Sequence, residues 1–352
     1  AAIAKANAAS SVLKRGIALV PLKFGISFNA THFNQAGALV HVYSDGSVLV
    51  NHGGTEMGQG LHTKVAQVVA DEFGLPLSAI RLSGTDTAKV PNTSATAAST
   101  GADLNGKAAQ DAAQTIRARM AEFLAGRHGI DVQQVRFANG MVQLGEQSIS
   151  FAEAANQTWF ARISLSSTGF YATPKIHYDP KTMQGRPFFY FAYGAAVAEV
   201  AIDTLTGEHR MLRIDLLHDC GRSLNPALDR GQVEGGFLQG AGWLTCEELW
   251  WNERGELKTH APSTYKIPAA GDWPAVANVQ LLAPAENRED TVFRSKAVGE
   301  PPLMLGMSVF FALRDAVAAA AGPEAAERLM APATPEAVLR ALGALDAFAE
   351  AA

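Results

Sequence analysis

The amino-acid sequence predicts an α+β fold with two lobes, each mixing β-hairpins and helices. Apolar residues alternate through 38–52 on both sides of a polar turn at 44–47, which is the pattern of a β-hairpin. A glycine-rich turn, 53–60, follows, and apolar residues then recur at helical spacing as far as Phe73. Strand, glycine-rich turn and helix therefore succeed one another, and this order recurs along the chain.

The rest of the first lobe repeats that order. A short strand is predicted around 80–82, followed by a turn of small and hydroxyl-bearing residues at 91–101 and a long helix from about 103 to 125. A hairpin around Asn139-Gly140 ends this lobe. The segment 151–159 then leads to the second lobe.

The second lobe begins with a long hairpin, 188–202 and 211–217, about Thr206-Gly207. A helix is predicted to open at 225–227, and further strands at 257–259 and 276–282. We expect three regions, which are a first lobe over 1–155, a second lobe over 156–330 and a helical tail over 331–352.

Composition narrows the class of protein. Of 352 residues, 48% are hydrophobic and 18% charged, as in a globular protein with a large core. The net charge is -5 and no long run of Lys or Arg occurs, so neither a nucleic-acid partner nor a membrane span is expected. Two cysteines, Cys220 and Cys246, cannot build a four-thiolate cluster or a disulfide framework. A cytoplasmic protein is expected, and the helix-like start at 1–11 suggests the continuation of a longer chain.

Glu300 is the most informative single residue. It lies between Gly299 and Pro301, just ahead of a strongly apolar helix that Pro302 suits at its first turn. The prolines restrict the backbone and the glycine lets another group approach, so the carboxylate has a set direction. A functional carboxylate and an ordinary N-terminal helix cap both fit this pattern.

Polar groups around the early turns suit a ligand. Each turn places backbone N–H groups at a helix N-terminus, which favours an anionic ligand, although simple helix caps give the same pattern. Gln59 and Gln232 each offer a donor and an acceptor beside a glycine, and Phe28 is able to flank a flat ring. Surface glutamines and a core aromatic are the alternatives. His52 and His62, ten residues apart, have no recognised metal spacing.

Taken together, several segments resemble one family. They look like the C-terminal part of the molybdenum-binding region of the xanthine dehydrogenase/xanthine oxidase family, the molybdenum hydroxylases. The segments occur in the family's order over nearly the whole chain, and they are 24–28, 34–38, 52–64, 91–99, 166–171, 224–227, 231–235, 262–268 and 295–303.

The resemblance implies a fold, an activity and a cofactor. In this family the dithiolene of molybdopterin holds the molybdenum, so no protein metal ligand is expected. Glu300 matches the general base in the hydroxylation of hypoxanthine and xanthine toward urate, with oxygen derived from water. The residues that match cofactor-binding positions are Gly58, Gln59, Gly60, Thr96, Ala97, Ala98, Ser99, Gly101 and Gln232. Phe28, Asn29 and Ala98 match substrate-binding positions, and Asn29 replaces an expected Thr.

The resemblance also implies partners. The upstream half of the molybdenum region, the [2Fe-2S] clusters and FAD are expected on other segments, with NAD as the final electron acceptor and assembled units forming a dimer. Two alternatives stay open. One is an aldehyde oxidase-type molybdenum hydroxylase, and the other is a fragment that binds the cofactor without turnover on its own.

Overall fold

Two four-stranded sheets organise residues 1–345, the part of the chain that the structure, a computed structural model, describes. The strands over these residues are β1 Leu13–Ile26, β2 Gln35–Val42, β3 Val48–His52, β4 Ile80–Leu82, β5 Val135–Ala138, β6 Met141–Leu144, β7 Gln147–Ser150, β8 Ser166–Ala172, β9 His177–Asp179, β10 Gln184–Arg186, β11 Tyr190–Asp203, β12 His209–His218 and β13 Val276–Leu281. The helices are α1 Ala2–Ala9, α2 Leu61–Phe73, α3 Gly101–His128, α4 Phe151–Phe160, α5 Pro226–Thr245, α6 Pro301–Leu305, α7 Met307–Ala321, α8 Pro323–Arg328 and α9 Pro335–Ala341. The predicted α+β class is confirmed.

The first sheet has the strand order β4-β3-β2-β8. The predicted hairpin is confirmed, because β2 and β3 pair antiparallel with Ala38 opposite His52. α2 and α3 cover one face of this sheet, and they bury Val65, Phe73 and Ile116 in a common hydrophobic core. The glycine-rich turn 53–60 and the turn 91–101 therefore lie at the N-terminal ends of two packed helices.

The second sheet has the order β1-β11-β12-β13, and β11 and β12 form the predicted long hairpin. β1 pairs antiparallel with β11 from Leu13 opposite Asp203 to Ile26 opposite Tyr190. α7 packs closely on β1, since a Cβ on Gly16 would lie 2.0 Å from the Ala312 carbonyl oxygen. This second core brings the start of α6, and with it Glu300, toward the first lobe.

The two sheets exchange strands between the predicted lobes. β1 comes from the first predicted region and lies in the second sheet, whereas β8 comes from the second region and lies in the first sheet. The boundary at 155/156 stays a prediction, and we propose that the lobes follow the two hydrophobic cores. The tail contains α9, and its last residues, 346–352, lie outside the described residues.

The predicted strand at 257–259 is wrong. Leu257 makes only an isolated bridge to Trp251. The backbone of Asn252 donates to the Glu256 carbonyl and that of Lys258 to the Trp250 carbonyl, so this short segment folds back on itself and, among residues 1–345, joins no sheet.

Within residues 1–345, the stretch Pro301–Ala321 is long and apolar enough to cross a membrane by length and composition. It buries Leu305, Val309 and Leu313 in the second core. Gly306 separates α6 from α7 and lies against α5, where a Cβ would be 2.4 Å from the Ala241 nitrogen. The stretch is packed as a pair of core helices.

Candidate active-site cavity

A cavity of about 340 Å³ lies where loops from the two sheets meet. Seven of the residues predicted from sequence line it, and they are Gln59, Thr96, Ala97, Ser99, Gly101, Gln232 and Glu300. These residues come from the turn before α2, the turn before α3, helix α5 and the segment before α6. The fold thus gathers four distant segments around one space.

Ser99 orients Glu300. The Ser99 Oγ accepts a hydrogen bond from the Glu300 N–H and donates one to Oε2, both at 2.8 Å. Over residues 1–345, the structure gives Glu300 Oε1 no hydrogen-bond partner and gives α6 no side-chain cap from Glu300. Gly299 permits this approach, since a Cβ there would lie 3.0 Å from the Ser99 Oγ. The Glu300 carboxylate therefore lines the cavity and does not cap α6.

Both loops that meet at Glu300 have unusual backbone. Ala98 and Ser99 are left-handed at φ 51° and 56°, and Phe293 and Arg294 at φ 47° and 62°. Left-handed residues other than glycine cost roughly 1–3 kcal/mol each and concentrate at ligand clamps and active sites. Pairs of left-handed residues on both loops indicate that this backbone conformation is kept for function, at a cost in stability.

The N-terminus of α3 opens toward the cavity. Thr100, at the N-cap, makes no side-chain hydrogen bond to the first turn, and Gly101 and Ala102 line the cavity. A helix N-terminus without a cap leaves N–H donors free and carries partial positive charge. This end of the 28-residue helix therefore suits an anionic group.

A carboxylate that sequence reasoning missed shapes the turn 53–60. Glu56 accepts hydrogen bonds from the backbone N–H groups of Gly58, Gly60 and His62 at 2.9, 3.0 and 2.9 Å. Partial burial raises the Glu56 pKa, but these three donors outweigh it and hold the pKa below its usual value. Gly58 and Gly60 have φ of 97° and 78°, so they shape the turn, although they do not line the cavity.

The two glutamines differ in how they are held. The Gln59 Oε1 accepts from the Met57 N–H at 2.6 Å and its Nε2 donates to the Thr55 carbonyl at 2.8 Å. Its carboxamide is therefore oriented by its own turn. Gln232 lies half-buried on α5, whose start Asn225 caps by accepting from the Leu228 N–H at 3.1 Å.

Charged side chains form the deeper wall of the cavity, and sequence reasoning missed them. Lys64 and Asp229 make a buried ion pair at 2.5 Å, and Asp229 also accepts from the Ser223 hydroxyl. Asp103 is buried nearby, and burial raises its pKa to about 7 against the lowering effect of a hydrogen bond from Tyr190. No sequence pattern indicated their role, because burial of these groups depends on how distant elements pack.

The three residues predicted to bind the substrate do not line the cavity. The Phe28 ring packs edge-to-face on Phe33 with centroids 5.6 Å apart, and its N–H donates to Asn34 Oδ1 at 2.8 Å. Asn29 is exposed, and Ala98 contributes backbone shape to the loop without lining the space. The substrate roles of all three stay predictions. Over residues 1–345, no group of three or more His, Cys, Asp or Glu side chains is placed to hold a metal ion.

Comparison with known proteins identifies relatives of the chain. The model of a family described as "Molybdopterin cofactor-binding domain" matches residues 1–274. The chain is 48% identical over 334 residues to a xanthine dehydrogenase/oxidase of Felis catus, covering 93% of the chain and 24% of that protein. It is 50% identical over 333 residues to a xanthine dehydrogenase of Oryza sativa subsp. japonica, covering 92% of the chain and 23% of that protein. The chain thus spans about a quarter of the length of these curated relatives.

Solved structures show the same fold. A quinoline 2-oxidoreductase from Pseudomonas putida 86 superposes with a TM-score of 0.79 at 24% identity, covering 97% of the chain and 43% of that protein. An aldehyde oxidoreductase from Desulfovibrio gigas gives a TM-score of 0.74 at 21% identity, covering 97% of the chain and 34% of that protein.

Proposed function

We propose that this chain, which belongs to the molybdopterin cofactor-binding domain family, supplies one side of an active site. The enzyme in this proposal is a xanthine dehydrogenase-type molybdenum hydroxylase. The observation that carries the proposal is the setting of Glu300. Its carboxylate lines a cavity shared with Gln59 and Gln232, is held at Oε2 by Ser99, and has Oε1 free of partners among the described residues.

The cavity walls fit molybdopterin, an anionic cofactor with many hydrogen-bonding groups. The open N-terminus of α3 offers backbone donors to negative charge, and the left-handed Ala98 and Ser99 turn the preceding loop around it. The carboxamides of Gln59 and Gln232 each donate and accept. We assign to the cofactor the set Gly58, Gln59, Gly60, Thr96, Ala97, Ala98, Ser99, Gly101 and Gln232.

Glu300 acts as the general base in this proposal. When bound, the cofactor supplies a molybdenum centre that takes up the electrons released as an electron-poor carbon of the substrate is hydroxylated. Glu300 accepts a proton at Oε1, while the Ser99 hydroxyl holds Oε2 and sets the plane of the carboxylate. The strand pairing and helix packing behind these loops keep the base in place.

The proposed substrates are hypoxanthine and xanthine. This choice follows the relatives named xanthine dehydrogenase, of which the chain matches about a quarter. Electrons leave, in this proposal, to [2Fe-2S] clusters and FAD on other segments and finally to NAD. Both cysteines are free thiols, in keeping with a cytoplasmic enzyme.

An exposed apolar face of the second sheet is evidence for the proposed partner segments. On β1, β11 and β12 the side chains of Ile17, Leu19, Tyr193 and Leu217 point away from α7 and stay exposed, Leu19 to 65%. A sheet face with apolar residues on this scale is usually buried. We assign it to the upstream half of the molybdenum region, with assembled units forming a dimer.

The test is Glu300→Gln in the assembled enzyme. The amide keeps the size of the side chain but is not a base, so we expect xanthine turnover to fall by at least about 10³-fold while molybdenum content stays near that of the wild type. Glu122→Gln, on the exposed side of α3, is the matched control and should leave both unchanged. Substantial turnover by the Glu300 variant would remove Glu300 as the base.

A further inference from the structure

One tyrosine hydroxyl joins three distant segments behind the cavity wall. Tyr190 opens strand β11, and its Oη donates to Asp103 Oδ2 at 2.6 Å. The same oxygen accepts a hydrogen bond from the Ala297 N–H at 2.9 Å. Asp103 lies in the first turn of α3 and Ala297 lies three residues before Glu300, and both line the cavity.

The direction of these hydrogen bonds allows one arrangement only. A backbone N–H can only donate, so the Ala297 amide occupies a lone pair of the Tyr190 oxygen. The phenol has a single proton, which goes to Asp103 Oδ2. A carboxyl group accepts at that oxygen whether it is ionised or carries its proton on Oδ1, so the chain from Ala297 to Asp103 persists in both states.

Burial makes this chain of hydrogen bonds costly to break. Tyr190 is 6% exposed and Asp103 8% exposed. Water cannot easily replace a lost partner there, and hydrogen bonds are stronger in such an environment than at the surface. Lys64 and Lys107 are the cations that act on Asp103, and neither takes the place of Tyr190, because they are paired with Asp229 and Asp290.

The segment that carries Glu300 is thereby held at two points. Ser99 binds Glu300 directly, and Asp103 binds Ala297 through Tyr190. Ser99 and Asp103 lie on either side of the α3 N-terminus. Both contacts therefore fix the position of the Glu300 segment relative to the same helix end. This is the helix end that we assign to the cofactor.

We propose that Asp103 and Tyr190 are positioning residues, whose hydrogen bond secures the Ala297 amide and so sets the place of the Glu300 carboxylate over the cavity. The catalytic consequence rests on the proposed function. The hold on the Ala297 amide is a property of the fold and can be measured without turnover.

Three variants test the proposal. Tyr190→Phe keeps the ring and removes the hydroxyl. Asp103→Asn keeps an acceptor, its Oδ1, for the Tyr190 proton. Tyr171→Phe is the matched control, because it removes another phenol hydroxyl that interacts with Asp103 while the structure gives it no hydrogen bond to residues 295–300.

Two readouts are taken, namely hydrogen–deuterium exchange over 292–303 and kcat and KM for xanthine in the assembled enzyme at equal molybdenum content. Tyr190→Phe should speed exchange at the Ala297 amide roughly tenfold, the effect of losing one buried hydrogen bond. It should lower kcat by about tenfold or more and change KM little, since a displaced base weakens mainly the chemical step. Tyr171→Phe should remain close to the wild type in both readouts, and Asp103→Asn, which keeps an acceptor for the Tyr190 proton, should lose less than Tyr190→Phe in both.

Wild-type exchange in Tyr190→Phe overturns the proposal, and so does faster exchange that leaves kcat unchanged. If Tyr190→Phe does not fold, Asp103→Ala, which leaves the Tyr190 hydroxyl without its acceptor, is measured instead with the same expected results. Failure of the proposed function looks different, because the wild-type enzyme itself then lacks molybdenum and turnover while the exchange comparison still decides the hold on Ala297.

Discussion

At the residue scale, the orientation of the Glu300 carboxylate depends on Ser99, which lies on a distant loop. Glu300 alone is compatible with a helix cap, but its carboxylate meets Ser99 and not the N–H groups of α6. Because Ser99 both accepts from Glu300 and donates to it, a single hydroxyl fixes the backbone and the side chain of the proposed base. The prolines after Glu300 restrict the chain at the same point.

The Lys64–Asp229 pair offers a residue-scale test of stability. Lys64→Met leaves the Asp229 carboxylate buried without its cation, and we expect the free energy of unfolding to fall by about 3–5 kcal/mol. The double variant Lys64→Met/Asp229→Leu removes both charges and should lose much less. Urea denaturation of the two variants measures this. A double variant as unstable as Lys64→Met would show that the pair is not coupled.

The raised pKa of Asp103 predicts that the stability of the protein depends on pH. Burial raises this pKa in the folded protein to about 7, above the ordinary aspartate value of 3.8. The folded state therefore binds the proton more tightly, so the contribution of Asp103 to stability is greatest below pH 3.8 and is lost as pH rises through 7. Asp103→Asn does not titrate, so its stability relative to the wild type should increase between pH 4 and 7 and then level off. Urea denaturation across this range tests it, and a difference independent of pH would contradict the raised pKa.

At the element scale, close approach of β1 to α7 builds the second core. A Cβ on Gly16 would lie 2.0 Å from the Ala312 carbonyl oxygen, which belongs to the backbone and cannot rotate away. Gly16→Ala should therefore cost about 3 kcal/mol of stability. Gly231→Ala, on α5 with open space at its Cβ, is the control and should be neutral or stabilise by up to about 1 kcal/mol. Thermal unfolding compares them, and equal effects would contradict the packing of α7 on β1.

Local elements could be predicted from the sequence, and distant pairings could not. The hairpins at 38–52 and 188–217 and the helix after 91–101 were predictable because each depends on residues close along the chain. β1 pairs with a strand whose residues lie 164 (Ile26 to Tyr190) to 190 (Leu13 to Asp203) positions further along the chain, and no local pattern indicates that partner. Local pattern drew attention to Glu300, Gln59 and Gln232, but their roles and the other lining residues came from a family resemblance. Lys64, Asp103 and Tyr190 were missed, because their burial depends on distant pairings.

At the scale of the whole molecule, the cavity lies between separate hydrophobic cores. The turns before α2 and α3 adjoin the first core, α5 lies in the second, and Ala297 of the Glu300 segment packs against a smaller cluster that contains Tyr190. The Lys64–Asp229 pair and the contacts of Ser99 and Tyr190 join them. Because β1 and β8 also cross between the sheets, the two lobes hold the walls of the cavity in a set relation.

In our proposal this cavity holds molybdopterin with Glu300 beside it. The most direct measurement is the molybdenum and pterin content of the purified assembled enzyme, for the wild type and for Glu300→Gln. We expect near-stoichiometric molybdenum and pterin in both proteins, with turnover confined to the wild type. An assembled wild-type enzyme that carries neither molybdenum nor pterin would contradict it.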